Sequence, residues 1–246
     1  MKKIILLLFI ILSISCKSDS EIHPKDNVSL EPKFRGEIIK HTYYTLAYSE
    51  ENEQAYWVYY QLTPDLINGN QTRTDDFRAD PAVTTGSATL EDYKGSGYDR
   101  GHLCPAADMT LNKMSMSETF YLSNMSPQVP GFNRGKWSTL EDQVRTWALT
   151  FDGLDVATGP IFKDNKGTIG VDKVTVPGYY YKVLYSESKK IMLGLILPNA
   201  SSSKSLEQFV VPVDQIEQQT GIDFFPGLED KLENQLEGNI SLITWF

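Results

Sequence analysis

The 246-residue sequence holds only two cysteines, Cys16 and Cys104, which excludes a disulfide-framework mini-protein and a cysteine-rich zinc module. Histidine is nearly as scarce, at three, and arginine occupies six positions, with none after Arg145. Lys and Arg number 23 against 32 Asp and Glu, so the formal charge is -9. The chain as a whole is therefore neither a basic nucleic-acid coat nor a polybasic membrane binder. Long apolar runs are missing too. Only residues 4–12 form one, and nine residues fall well short of the ~20 that span a bilayer. What is present is 41% hydrophobic residues with 11% aromatics, enough for a buried core and too much for a disordered chain.

Lys2 and Lys3 ahead of that apolar run give residues 1–15 the layout of a signal peptide. Ser13-Ile14-Ser15-Cys16 follows at once, and small residues before a cysteine resemble a bacterial lipobox, in which the cysteine becomes the lipid-bearing first residue. The plain alternative is an ordinary signal peptide with a cysteine near its cut. The expectation is a lipoprotein of the bacterial cell envelope, attached to the membrane through Cys16, on the periplasmic side or at the cell surface. Loss of residues 1–15 removes two lysines, leaving 21 basic against 32 acidic residues and a charge of -11. Residues 16–40 are polar and Pro-containing, without apolar period, and read as a tether. No linker or internal repeat divides residues 41–246, which read as one domain.

Within that domain, residues 56–62 are aromatic and β-branched and predict a strand. Residues 120–125, 154–158, 179–185 and 191–197 predict four more. Residues 68–97 are rich in Gly, Thr, Asp and Pro and read as a long loop, a feature that is usually functional inside a compact domain. Trp137, Leu140, Val144 and Trp147 make one helical stripe within residues 134–149. A shorter helix over 213–220 ends at Gly221. Strands outnumber helices without regular alternation, which predicts an α+β fold with a mixed or antiparallel sheet rather than a doubly wound parallel one.

Chemistry concentrates at Tyr98-Asp99-Arg100-Gly101-His102-Leu103, where an acid, a guanidinium and an imidazole fall within four positions. His102 can take a proton from water near neutrality, and Arg100 offers a fixed fork for phosphate oxygens. A turn carrying a salt bridge would explain this segment alone. A second cluster follows: Leu122-Ser123-Asn124 with Pro127-Gln128, then Asn133-Arg134-Gly135-Lys136-Trp137 with Leu140-Glu141. Upstream stands Phe77-Arg78-Ala79-Asp80-Pro81. These four blocks, in this order, resemble the DNA/RNA non-specific endonuclease family, which includes endonuclease G and belongs to the ββα-metal nucleases. The resemblance covers roughly residues 56–246.

That resemblance implies an α+β fold with a ββα-metal finger carrying the site. It implies His102 as the general base, Asn133 as the protein ligand of a single divalent metal, and Mg²⁺ as that metal, with Mn²⁺ or another divalent cation as the alternative. A neutral oxygen ligand and a mostly aqueous shell suit Mg²⁺, which dehydrates reluctantly. Positions 133, 137, 141 and 145 step by four along a helix, so Glu141 shares an edge with Asn133 and would orient metal-bound water. A helix-surface ion pair between Glu141 and Arg145 is compatible with that role. Arg100 would contact phosphate or stabilise the transition state. A second arginine comes from the upstream loop, with Arg73 the candidate and Arg78 the alternative. Asn124, Gln128 and Arg145 read as supporting or substrate-binding residues, and Asp99 as a group that holds the loop or an arginine. Cys104 reads as a packing residue beside the site.

The implied substrates are DNA and RNA, cut with little sequence preference, because backbone contacts carry no base information. Family members often dimerise, which leaves a homodimer open. Two rivals remain at this stage: a surface nucleic-acid-binding protein that has lost catalysis, and a phosphodiesterase acting on a smaller phosphodiester. Recovery of intact substrate in Mg²⁺ would mark the former, and turnover of small phosphodiesters the latter. Five of the six arginines lie between Arg73 and Arg145, yet that span carries eight basic against ten acidic residues. The expectation is a few guanidinium groups focused on one phosphate rather than a broad basic groove, with modest and steeply salt-sensitive binding.

Overall fold

The computed structural model describes residues 29–246. The expected signal peptide, Cys16 and the first part of the expected tether lie outside the described residues. In chain order the strands are β1 (Glu37–Lys40), β2 (Thr45–Ser49), β3 (Gln54–Leu62), β4 (Asp99–His102), β5 (Met125–Gln128), β6 (Leu154–Ile161), β7 (Thr168–Ile169), β8 (Val174–Thr175), β9 (Tyr179–Ser186), β10 (Ile191–Pro198) and β11 (Val210–Val211). The helices are α1 (Pro64–Ile67), α2 (Leu90–Tyr93), α3 (Lys113–Glu118), α4 (Ser138–Phe151), α5 (Val213–Thr220), α6 (Asp230–Glu237) and α7 (Leu242–Trp245).

The aromatic and β-branched runs form a seven-stranded sheet, ordered β1-β2-β3-β6-β9-β10-β11. Every pairing in it is antiparallel. Register decides which residues share a face. One row runs Tyr60, Val156, Leu184 and Leu193 across four strands, and all of them enter one core cluster. The neighbouring row runs Tyr59, Ala157 and Val183 and enters a second cluster on the opposite face. Helix α4 covers the first face with Leu140, Val144, Trp147 and Ala148, and Trp137 joins them from the preceding turn. Helix α5 covers the second with Val213 and Ile216, followed by Ile222, Phe224 and Phe225. At about 1.5–3 kcal/mol per buried large side chain, the predicted stripe outweighs any surface ion pair in holding α4 to the sheet. The architecture is α+β, with β4 and β5 forming a separate two-stranded hairpin ahead of α4.

Strands β3, β6, β9 and β10 follow the sequence reading, as does α5 with its left-handed Gly221 cap (φ 74°). Three expectations are corrected. The tether does not extend to residue 40: β1 pairs with β2, Ile39 is buried, and Leu30 and Phe34 pack on the second core cluster. A short, charge-bearing edge strand has the composition of a linker, because charges on an edge discourage pairing with other chains. The strand expected over 120–125 begins only at Met125, since Leu122–Asn124 is a 3₁₀ turn. There the Asn124 side chain bonds Thr119 O and Cys104, in competition with a sheet ladder. The helix expected over 134–149 starts at Ser138 and ends at Phe151. Before it lies a π-type turn, Phe132–Trp137, broken at Gly135 (φ −118°, ψ −105°). Asn133 therefore does not share a continuous helical row with Trp137, Glu141 and Arg145.

Candidate active site

The hairpin β4–β5 sets Asp99 opposite Gln128, Gly101 opposite Ser126 and His102 opposite Met125. Residue 101 must be glycine, because a Cβ there would fall 2.2 Å from Gln128 Cδ. Strand alternation sends Arg100 and His102 to the other side, where both meet Phe77. The imidazole stands edge-on to two rings, Phe77 at 5.7 Å and Phe120 at 5.1 Å between centroids. Each of those rings carries an arginine: Arg100 lies 4.1 Å from the Phe77 centroid and Arg73 lies 4.7 Å from that of Phe120. Arg73 also pairs with Asp75 at 2.6 Å, whereas the Arg100 guanidinium has no ion pair among the described residues. Arg78 is turned elsewhere. It lies over Tyr121 and donates to Asp76 and to Ser117 O.

His102 is 9% exposed, and its Nε2 is buried without a hydrogen-bond partner among the described residues. Its carbonyl accepts from Trp137 Nε1 at 3.3 Å, which ties the general-base candidate to the turn before α4. At the start of β4 Asp99 accepts from Asn133 Nδ2 at 3.0 Å and from Arg134 through both Nε (2.8 Å) and Nη2 (2.6 Å). A carboxylate only accepts, so it fixes the Asn133 amide with nitrogen toward Asp99 and leaves Oδ1 unengaged.

Glu141 is half-buried on α4. Arg145 turns to Asp108 (2.8 Å) and Asp142, and Asp108 accepts the Tyr60 hydroxyl, so Arg145 supports the site from behind. Asn124 clamps both Cys104 N and Cys104 O, fixing the chain as it leaves His102. Gln128 is fully buried against Gly101, and its amide atoms have no partner among the described residues. Cys104 is a buried free thiol whose pKa burial pushes up, the behaviour of a packing residue.

A family model for DNA/RNA non-specific endonucleases matches residues 25–231. The chain belongs to the DNA/RNA non-specific endonuclease family. Among curated relatives it is 38% identical over 202 residues to mitochondrial endonuclease G of Homo sapiens, covering 75% of this chain and 68% of the relative. It is 34% identical over 233 residues to nuclease C1 of Cunninghamella echinulata var. echinulata, covering 87% and 91%. A crystal structure of the EndoG/EndoGI complex superposes with a TM-score of 0.75 at 33% identity, covering 80% of this chain and 89% of that one. The protein is a non-specific endonuclease, an enzyme, built on the ββα unit of β4, β5 and α4.

The electrostatics of this endonuclease separate its candidate groups. Burial, reinforced by Arg73 and Arg100, pushes the His102 pKa down to about 3, so the imidazole is neutral at physiological pH. Burial alone would raise Asp99, but the hydrogen bonds from Arg134 and Asn133, with the Arg134 and Arg100 charges, hold it below the usual carboxylate range. Burial raises Glu141, opposed by Lys182 and then joined by Asp108.

Sequence reasoning missed four features of the candidate site and its surroundings. The first is the aromatic pair Phe77 and Phe120, whose chain separation hides that they share one imidazole. The second is Arg134, the bidentate partner of Asp99. The third is Lys182, fully buried on β9, 4.6 Å from the Trp137 ring centroid and 3.3 Å from Thr158 Oγ1. A lone lysine inside an aromatic strand was the available signal. The fourth is His41, which pairs with buried Asp80 at 2.9 Å. Asp80 also accepts from Ser123 Oγ and Ala82 N, so it fastens the upstream loop to the Leu122–Asn124 turn.

Proposed function

We propose that this endonuclease hydrolyses phosphodiester bonds of DNA and RNA with His102 as general base. The observation that carries this reading is a neutral imidazole walled by two phenyl rings that each hold an arginine. Nε2 is sealed in that packing, so Nδ1 is the nitrogen left to take the proton of the attacking water. Arg100 and Arg73 bracket the position a phosphate would occupy and stabilise the charge that builds on its oxygens. A cleft of about 370 Å³ lined by Glu91, Lys94, Tyr98, Asp99 and Arg100 opens beside Arg100.

The donor set fits a hard divalent cation, with Mg²⁺ the first choice. Asn133 Oδ1 is unengaged and held in place through Asp99, which is the second-layer support that metal ligands require. Glu141 would orient water around the ion. When bound, the cation would offset charge on the scissile phosphate and the leaving oxygen.

The test is degradation of plasmid DNA and RNA in Mg²⁺, with and without chelator, by wild type and His102→Ala. The variant is expected to lose about 10²–10⁴-fold in rate. A purified wild type without chelator-sensitive activity that His102→Ala abolishes would overturn the reading. The lipobox-like segment supports a second proposal, that Cys16 anchors the enzyme to the bacterial cell envelope. Membrane fractionation should find wild type with the membranes and Cys16→Ser released. Equal partitioning of the two would refute the anchor.

A further inference from the structure

The face of the sheet covered by α5 and α6 carries a cluster of acids that the proposed mechanism does not use. Asp214 and Glu217 lie one helical turn apart on α5, and Glu237 is the last residue of α6. One oxygen from each carboxylate lies within 4.8 Å of the other two. Three oxygens that close can all touch one ion at roughly 2.3–2.6 Å, the Ca²⁺–oxygen distance.

Glu237 supplies the independent observation. It is only 6% exposed, its carboxylate is aimed into the cluster, and its Oε1 is buried with no hydrogen-bond partner among the described residues. Burying an unpaired carboxylate costs several kcal/mol unless something positive answers it. The strongest charges acting on it, Glu217, Glu233, Asp214 and Asp223, are all acidic. It also sits at the carbonyl end of α6, where the helix dipole disfavours a negative charge and favours a cation. Lys33 acts to lower the neighbouring Glu233, and no salt bridge to Asp214, Glu217 or Glu237 is formed among the described residues. Asp214 and Gly238 line a cleft of about 1310 Å³, so the cluster is open to ions from solvent.

We infer that Asp214, Glu217 and Glu237 form a second divalent-cation site, for a hard oxygen-seeking ion of the calcium type, on the sheet face opposite His102. Three carboxylates within reach of one ion suit Ca²⁺, which accepts many oxygens in flexible geometry, better than Mg²⁺, which keeps its waters. The ion would fasten α6 to α5.

The probe is CaCl₂ alone, titrated calorimetrically into the purified chain carrying Asn133→Ala, which removes the ligand proposed at the active site. One Ca²⁺ per chain is expected to bind and to raise Tm. Glu237→Gln and, separately, the exposed-site change Asp214→Asn should each weaken that binding at least tenfold, with loss of the Tm rise. Without calcium, Glu237→Gln should unfold at no lower temperature than its parent, because it removes one of several crowded carboxylates. That control keeps a folding defect from passing as lost binding. Absence of saturable Ca²⁺ binding in the Asn133→Ala chain would overturn the inference, as would binding that neither carboxylate substitution weakens. In that case Glu237 is simply a buried protonated acid.

Discussion

The two faces of the central sheet bury charge in opposite ways. Beneath α4, Lys182 and Arg145 meet Glu141 and Asp108, so each sign has an answer within the protein. Beneath α5 and α6, the strongest charges on Glu237 are those of other acids. The first arrangement is closed by the fold itself. The second is closed only by protons or by an added cation. A buried ion pair contributes little net stability against an apolar pair of equal shape, but losing one partner strands the other. The site face should therefore be intolerant of losing a charge, and the other face should not.

The largest effect that would break this contrast is at Lys182. Lys182→Met leaves Glu141 and Asp108 without their buried lysine and should cost about 3–5 kcal/mol in denaturant unfolding. Combining it with Glu141→Gln should restore part of the loss. If Lys182→Met is as mild as Glu237→Gln, the two faces do not differ. Next is Asp99→Ala, which removes the acceptor that orients the Asn133 amide. The Mg²⁺ concentration for half-maximal cleavage is expected to rise about 10–100-fold. An unchanged metal dependence would mean that Asp99 only anchors Arg134.

The smallest effect sharpens the contrast through pH. In the metal-free protein His102 has its pKa lowered from 6.5 to about 3. The unfolded chain then takes up the proton first, so its contribution to stability is present above pH 6.5 and lost as pH falls toward 3. Glu237 is raised from 4.5 to about 8 by burial and then by Glu217 and its acidic neighbours. Here the folded chain holds the proton, so stability is present below pH 4.5 and lost as pH rises toward 8. The limiting slope is about 1.4 kcal/mol per pH unit for a single group. Stability measured across pH should lose its acid-side fall in His102→Ala and its alkaline-side fall in Glu237→Gln. A variant whose curve parallels wild type would show that its group does not carry the assigned slope.

How much of this was legible in the sequence depends on whether the governing contacts are local. Residues 56–62 and 191–197 announce strands because β-branched and aromatic composition is a local property. The stripe from Trp137 to Trp147 announces a helix for the same reason. The order of the four motif blocks made the catalytic candidates readable before any geometry. Yet β1 was hidden, because its partner strand rather than its composition makes it a strand. Phe77 and Phe120 were hidden because they converge on His102 from separate segments. Lys182 was hidden because only the β6–β9 register reveals that its side of the strand is the Trp137 side. The different surroundings of Arg73, on the Phe120 ring and paired with Asp75, and of Arg78, engaged with Asp76 and Ser117, likewise needed the fold to be seen.

The π-type turn at Phe132–Trp137 has a consequence for what insertions and deletions this chain can accept. Its wide loop, in which Ser138 N reaches back to Asn133 O, holds one residue more than a regular turn would. Removing Gly135 would let the helix run straight through while leaving Leu140, Val144 and Trp147 seated on the sheet. Asn133 would then swing by about 100° around the helix axis, away from Asp99. A chain with such a deletion would keep the α4 stripe seated but lose the place of buried Phe132 together with the direction of the amide. The spare residue acts as a phase setting between a helix that needs only to pack and an amide that must point.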